Sequence, residues 1–194
     1  MSQLLFDNLK SKTKITEEEF ERFQKYLKTR RLEKNETLLR RGETAKYMAF
    51  VQEGVICTLS IDEKGEKHVI QIGLQNHWIT DLFSLFAGEP SSYDIIAIET
   101  SEVILLSREA FEEACFEIPT LERFFRLLIQ NGYVSTLKRI SRIYSTSAEQ
   151  RYLDLVTNNS EIIHQIPQHL VASYLGIKPQ SLSRIRKQLM EKDF

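Results

Sequence analysis

The stretch QHLVASYLGIKPQSLSRIRKQLMEKDF, residues 168–194, decides the reading of this chain. Val171 and Leu175 stand four apart on one helical face, with small Ala172 beside them. Gly176 and Ile177 interrupt that pattern, and Pro179 suits the first turn of a new helix, where its missing N–H is no loss. Leu182, Ile185 and Leu189 then form a second apolar stripe. Two helices crossing steeply need a small residue at the contact, supplied by Ala172, and a turn residue tolerant of positive φ, supplied by Gly176. The stretch therefore reads as a helix-turn-helix. Gln180, Ser181 and Arg184 are expected to point away from the apolar stripe of the second helix. Arg and Gln side chains can grip guanine and adenine edges in the major groove. Lys178, Arg184, Arg186 and Lys187 give residues 177–188 four positive charges and no acid, which suits phosphate contact. The DNA-contact set is Lys178, Gln180, Ser181, Ser183, Arg184 and Lys187, and the partner is double-stranded DNA.

The charge distribution agrees. The whole chain sums to −1, but residues 1–137 hold 17 Lys and Arg against 22 Asp and Glu, while residues 138–194 hold 9 against 5. A basic end on an acidic body fits a DNA-binding unit joined to something else. Length, 194 residues, allows one large domain or two smaller ones. With 42% hydrophobic and 27% charged residues the composition is that of a globular protein. No apolar run approaches the roughly 20 residues needed to cross a membrane, and residues 1–12 lack the apolar core of a signal peptide. Cytoplasmic residence, without a membrane partner, is the expectation. Cys57 and Cys115 are too few for a disulfide framework or a four-cysteine cluster.

Upstream, three zones follow from periodicity. Residues 1–30 have helical character, with Thr16 as N-cap, Glu19 three residues later, and Phe20, Phe23 and Leu27 on one face. Residues 31–107 are rich in short β-branched runs, at 48–51, 55–61, 68–72 and 95–106, separated by turn residues. Residues 62–65 read as a hairpin turn. Such a succession points to a small barrel or jelly roll. A helix starting at Pro119 runs to about Ile143. Phe124, Leu127, Val134 and Leu137 are placed on one face, and Ile129, Tyr133, Ile140 and Ile143 on another. A helix apolar on two sides needs two partners, here its own roll and a second subunit, so a homodimer is expected. Gly132, costly mid-helix, would allow close helix approach. A further helix runs from Ala148 to about Thr157. The fold class is α+β: a β-roll over residues 1–118, a dimerisation helix over 119–145 and a winged-helix-type helix-turn-helix over 146–194.

This order resembles the cyclic AMP receptor/fumarate-nitrate regulator (Crp/Fnr) superfamily of bacterial transcription factors, most of all its short Bacteroidetes-type members. The carriers are Leu39, Arg40, Arg41, Gly42 and Glu43; Val51, Gln52, Glu53 and Gly54; the 62–65 hairpin; Ala148, Glu149, Gln150, Arg151, Tyr152 and Leu153; and residues 180–185. The resemblance implies transcription regulation by a homodimer, with RNA polymerase and a small-molecule effector of unknown identity as further partners. It also implies a phosphate-binding cassette in the roll, with a Gly-Glu pair and an Arg-Ser pair. Here Thr80 and Asp81 stand for the first, and Ser91 and Ser92 for the second. With Leu82, and with Thr136 on the central helix, they form the candidate effector pocket. Residues 79–98 hold no Lys or Arg but do hold Asp81, Glu89 and Asp94, so a phosphodiester would meet like charge. No response to cyclic AMP is expected; the alternative is a regulatory protein that binds a cyclic nucleotide through its roll. Trp78, Phe83, Phe86 and Tyr93 are read as roll filling, with an apolar or uncharged ligand among them as the alternative. Family members usually continue with a short β-wing where this sequence reaches Asp193 and Phe194. His68 and His77 lack the clustering of a metal site, and no catalytic triad, phosphate loop or paired carboxylates stand out. Neither a cofactor, a metal nor an enzyme activity is expected.

Overall fold

The computed structural model describes residues 2–192; Asp193 and Phe194, where a wing was expected to begin, lie outside the described residues. Two short helices open the chain. Helix α1 (Gln3–Lys10) is capped by the Ser2 hydroxyl, which accepts from the Leu5 N–H. Helix α2 (Glu17–Gln24) carries the expected capping box: the Thr16 side chain takes the Glu19 N–H while the Glu19 carboxylate takes the Thr16 N–H. Phe20 and Phe23 are buried as expected.

Leu27 does not continue that helical face. It opens strand β1 (Leu27–Leu32), where it pairs with Leu106. Only Leu32 of this strand is fully buried, and Lys28 to Arg31 face solvent, so its sequence carries little alternation. Strands β2 (Thr37–Leu39), β3 (Tyr47–Glu53), β4 (Ile56–Ile61), β5 (Lys67–Gly73), β6 (Trp78–Ile79), β7 (Asp94–Ala97) and β8 (Ser101–Ser107) follow, with helix α3 (Leu82–Ala87) between β6 and β7. They form two antiparallel four-stranded sheets, in the orders β1-β8-β3-β6 and β2-β7-β4-β5. The run at 95–106 is thus two strands rather than one, and they belong to different sheets.

Gly54 shows why the β3–β4 turn is tight. Its φ is +90°, and a Cβ there would lie 2.8 Å from the Cα of Ser101. The Ser101 hydroxyl closes the corner by accepting the Val55 N–H at 3.1 Å.

Helix α4 (Arg108–Glu117), absent from the sequence reading, leads into α5 (Pro119–Ser145). The Thr120 hydroxyl donates to Glu19 Oε1 at 2.8 Å, tying α5 to α2. The first turns of α5 belong to the roll core: Phe124 and Phe125 are buried, and the Trp78 ring packs tilted against Phe124 at 6.3 Å and edge-on to Phe125 at 5.3 Å, while its indole N–H donates to Asn8. Of the expected roll aromatics, Trp78 fills the core but Phe83 is 63% exposed.

The faces proposed for α5 need correction. Phe124 is in the core, whereas Tyr133, Val134, Leu137, Ile140 and Tyr144 are all exposed. Tyr133, Leu137, Ile140 and Tyr144, spaced four, three and four, make one stripe, so Leu137 belongs with Tyr133 and not with Phe124. At Gly132 a Cβ would meet nothing within 4 Å, so no close approach within this chain requires glycine there.

Helices α6 (Ala148–Asn158), α7 (Ser160–Gln165), α8 (Gln168–Tyr174) and α9 (Pro179–Lys192) complete the chain. The sequence pattern assigns no element to residues 160–165. Among the described residues no strand follows β8. Alternate residues of β4 serve two cores: Ile56 joins the roll interior, and Cys57 joins a second cluster with Val69, Leu155, Leu170, Val171, Leu182 and Ile185. The helix-turn-helix is therefore seated on the outer face of its own roll.

Candidate nucleic-acid interface and effector pocket

Helix α8 ends where Gly176, at φ +68°, turns the chain. The Gly176 N–H donates to Ser173 O and the Ile177 N–H to Ala172 O, closing the turn. Ala172 is fully buried, as the crossing of α8 with α9 requires. Leu182 and Ile185 are 1% and 6% exposed, so the orientation of α9 is fixed by its apolar side. The opposite side presents Gln180, Ser183, Arg184 and Lys187, all exposed, with Lys178 exposed just before the helix. Ser181 departs from expectation: it lies half-buried on the flank. Lys187 lies 3.9 Å from Glu191.

Much of the positive charge upstream of α9 has a structural use. Arg151 donates through Nε to Leu175 O at 3.0 Å and through Nη1 to Thr146 O and Ile143 O at 2.6 and 3.3 Å. It thereby holds the last carbonyls of α5 and the end of α8 together, a favourable place for a cation. Arg139 donates to Ile70 O of β5 and lies 4.9 Å from the centre of the Tyr174 ring on α8. Arg142 lies 3.6 Å from Asp154. The Ser173 hydroxyl accepts the Val69 N–H at 2.9 Å, a further tie between α8 and β5. The sequence reading missed this seat, and only Arg151, inside a quoted motif, carried any hint of it.

In the roll, the candidate pocket residues divide. Asp81 is 6% exposed and caps α3: Oδ1 accepts the Phe83 and Ser84 N–H groups, and Oδ2 accepts the Ser91 hydroxyl at 2.7 Å. The Ser91 hydroxyl in turn accepts the Tyr93 N–H. Ser84, fully buried, joins from outside the predicted set, accepting the Ala45 N–H and donating to Glu89 O. Thr80 donates to Tyr47 O instead. Leu82 is 38% exposed, Ser92 is exposed, and Thr136 is exposed on α5 outside this hydrogen-bonded group. The cation-free segment is not the whole environment, however. A Cβ on Gly88 would lie 3.7 Å from Nη1 of Arg108, contributed by α4. On the face of β4 that bears Ile56, the Thr58 hydroxyl is buried without a hydrogen-bond partner. Such orphaned groups are uncommon in a folded interior.

Residues 29–117 match the cyclic nucleotide-binding domain family. Over 169 residues the chain is 22% identical to the transcriptional activator protein FnrA of Stutzerimonas stutzeri, covering 80% of this chain and 68% of that protein. The structure of FixK2 from Bradyrhizobium japonicum superposes with a TM-score of 0.73 at 17% identity, covering 86% of each chain. The c-di-GMP-responsive global regulator CLP of Xanthomonas campestris superposes with a TM-score of 0.74 at 13% identity, covering 92% of this chain and 93% of that one. A jelly roll, a long helix and a helical C-terminal unit define the class. The chain has the fold of these regulators, and residues 29–117 carry the cyclic nucleotide-binding domain match. Among the described residues no helix is long and apolar enough to cross a membrane.

Proposed function

We propose that this chain is a sequence-specific DNA-binding transcription regulator of the Crp/Fnr type, acting in the cytoplasm as a homodimer and without catalytic activity. The observation that carries the reading is α9: its apolar side is locked by Leu182 and Ile185, and its free side offers Gln180, Ser183, Arg184 and Lys187. Helices of this size enter the major groove. The exposed stripe Tyr133, Leu137, Ile140 and Tyr144 on α5 is the dimer contact, because burying it against the same stripe of a second copy removes apolar surface from water. Two copies then present two α9 helices to successive major grooves.

The roll is read as insensitive to cyclic AMP. Asp81 and Ser91 already satisfy one another, and the acidic cassette disfavours a phosphodiester. The alternative, cyclic nucleotide binding through the roll, is favoured by the cyclic nucleotide-binding domain match over residues 29–117 and by the Arg108 guanidinium beside Gly88. A fluorescence-anisotropy titration with duplex DNA at rising salt tests the main reading. Affinity should fall steeply, because each neutralised phosphate adds about 0.9 to the log–log slope against salt. A protein with no DNA affinity at low salt would overturn it.

A further inference from the structure

The β4–β5 hairpin carries a group of side chains that the DNA-binding reading does not use. Asp62 opens its turn. Its Oδ1 accepts the N–H groups of Lys64 and Glu66, both at 2.9 Å, and its own N–H donates to Glu66 O at 3.1 Å. The carboxylate is thus held in one orientation by the backbone. Its second oxygen lies 2.9 Å from Nε2 of His68. The Glu66 carboxylate turns to the same point: ligand atoms of Asp62, Glu66 and His68 all lie within 4.8 Å of one another. An ion pair between Asp62 and His68 accounts for the first contact but not for Glu66. Among the described residues that carboxylate makes no side-chain hydrogen bond or salt bridge, and neither Lys64 nor Lys67 pairs with either acid.

We propose that Asp62, Glu66 and His68 form a binding site for a divalent transition-metal ion at the tip of the β4–β5 hairpin. One imidazole and two carboxylates are a borderline donor set, suited to Ni²⁺, Co²⁺ or Zn²⁺ rather than to Mg²⁺, which favours an all-oxygen shell. With metal–ligand lengths of about 2.0–2.2 Å, a separation of 2.9 Å between the Asp62 oxygen and Nε2 of His68 corresponds to an angle of about 90° at the metal. That is the angle between neighbouring ligands of an octahedral ion. The metal takes the place of the hydrogen bridging Asp62 and His68. The three side chains are exposed, so water completes the shell.

The site adjoins the seat of the helix-turn-helix. His68 lies between Lys67, whose carbonyl is 3.5 Å from the Ser173 hydroxyl, and Val69, whose N–H donates to it. An ion gripping residues 62, 66 and 68 fixes the strand on which α8 rests. Metal binding is measured without DNA, so a failure of the DNA-binding reading would leave this site standing.

The test is calorimetric titration of the full chain with NiCl₂ and ZnCl₂, with MgCl₂ as comparison. One ion per chain should bind in the micromolar range for Ni²⁺ and Zn²⁺, with no Mg²⁺ heat at the same concentrations. His68→Gln and Glu66→Gln should each weaken binding roughly tenfold or more, whereas His164→Gln, on α7, should not change it. Amide exchange at Val69 should slow in Ni²⁺ for the native chain and not for His68→Gln, which unfolding of the variant would not mimic. Absence of saturable binding at about 0.1 mM Ni²⁺, or equal binding by His68→Gln, would overturn the site.

Discussion

Arg139 lies with its guanidinium 4.9 Å from the centre of the Tyr174 ring. The contact joins the central helix to the first helix of the helix-turn-helix. The same guanidinium donates to Ile70 O at 2.9 Å, so a single side chain bridges α5, β5 and α8. A cation over an aromatic face contributes about 0.5–2 kcal/mol, and a hydrogen bond from a charged donor about 1.5–3 kcal/mol. Arg139→Ala should therefore destabilise the seat by roughly 2–5 kcal/mol. Tyr174→Phe should be almost silent, because the ring face and not the hydroxyl makes the contact. Burial pushes the Tyr174 hydroxyl above the usual tyrosine range while Arg139 pulls it down, so the phenol stays neutral. Hydrogen exchange at Val69, whose N–H is held by Ser173, reads the outcome. Unchanged exchange in Arg139→Ala would mean that apolar contact alone seats α8.

Base reading and phosphate contact should separate on α9. Arg184→Ala should relax sequence preference at one base position in each half-site and cost about 1–3 kcal/mol in specific binding. Lys187→Ala should weaken all sequences alike and reduce the salt slope by about one unit. Selection of binding sites from a random DNA pool measures both. An unchanged preference in Arg184→Ala would remove that residue from base readout.

How much of this was legible in the sequence depends on the range of the interaction. The Thr16–Glu19 capping box, the turn at 62–65 and the Gly176 corner are decided within a few residues, and the structure has them where the sequence placed them. The Leu182 and Ile185 stripe was legible for the same reason. Strand β1 was not, because Lys28 to Arg31 are exposed and leave no alternation to read. The roles of Arg139 and Arg151 depend on carbonyls 69 and 24 residues away, which no local pattern encodes. The grouping of Leu137 with Phe124 on one face failed because only the first turns of α5 lie in the roll core, while Tyr133, Val134, Leu137, Ile140 and Tyr144 are exposed.

Assembly should depend on that later half of α5. Leu137→Glu or Ile140→Glu would place a charge in the middle of the exposed stripe and should yield monomers with little DNA affinity. Folding should be preserved, since both side chains are largely exposed in one chain, at 47% and 43%. Sedimentation equilibrium measures the effect. A native protein that stays monomeric at micromolar concentration would exclude this stripe as a dimer contact.

Thiol chemistry should be silent in the folded state. Burial pushes the Cys57 thiol up to about 12, and burial with the nearby Glu112 and Glu122 does the same for Cys115. At pH 8 only about one ten-thousandth of such a thiol is ionised, and the thiolate is the reactive form. Ellman's reagent should therefore read two thiols in denaturant and react very slowly with the native protein. The fold favours the neutral thiols, so their contribution to stability is present below the ordinary value of 9.0 and is lost as pH rises from there toward 12. Rapid native labelling at pH 8 would contradict the buried placement of Cys57.

The effector reading is tested by a thermal melt in millimolar cyclic AMP or cyclic GMP, with no shift expected. Ser91 stands where the family's arginine is expected, and its hydroxyl is committed to Asp81 at 2.7 Å. A phosphate at this point would have to displace that bond and face the Asp81 carboxylate. A ligand at about 100 times its dissociation constant would add about 2.7 kcal/mol, visible as an upward shift of about 5–10 °C in a chain of this size. Such a shift would overturn the reading and point to Arg108 and the backbone N–H groups near Gly88 as the phosphate contacts, which Arg108→Ala would then abolish. Ser91→Arg is the companion. It removes the hydroxyl that Asp81 accepts and brings a guanidinium beside that carboxylate. Gain of cyclic nucleotide binding in Ser91→Arg, against none in the native chain, is the expected pair of results. Failure of both to bind would leave the missing cation an insufficient explanation and would shift attention to the acidic groups Glu89 and Asp94.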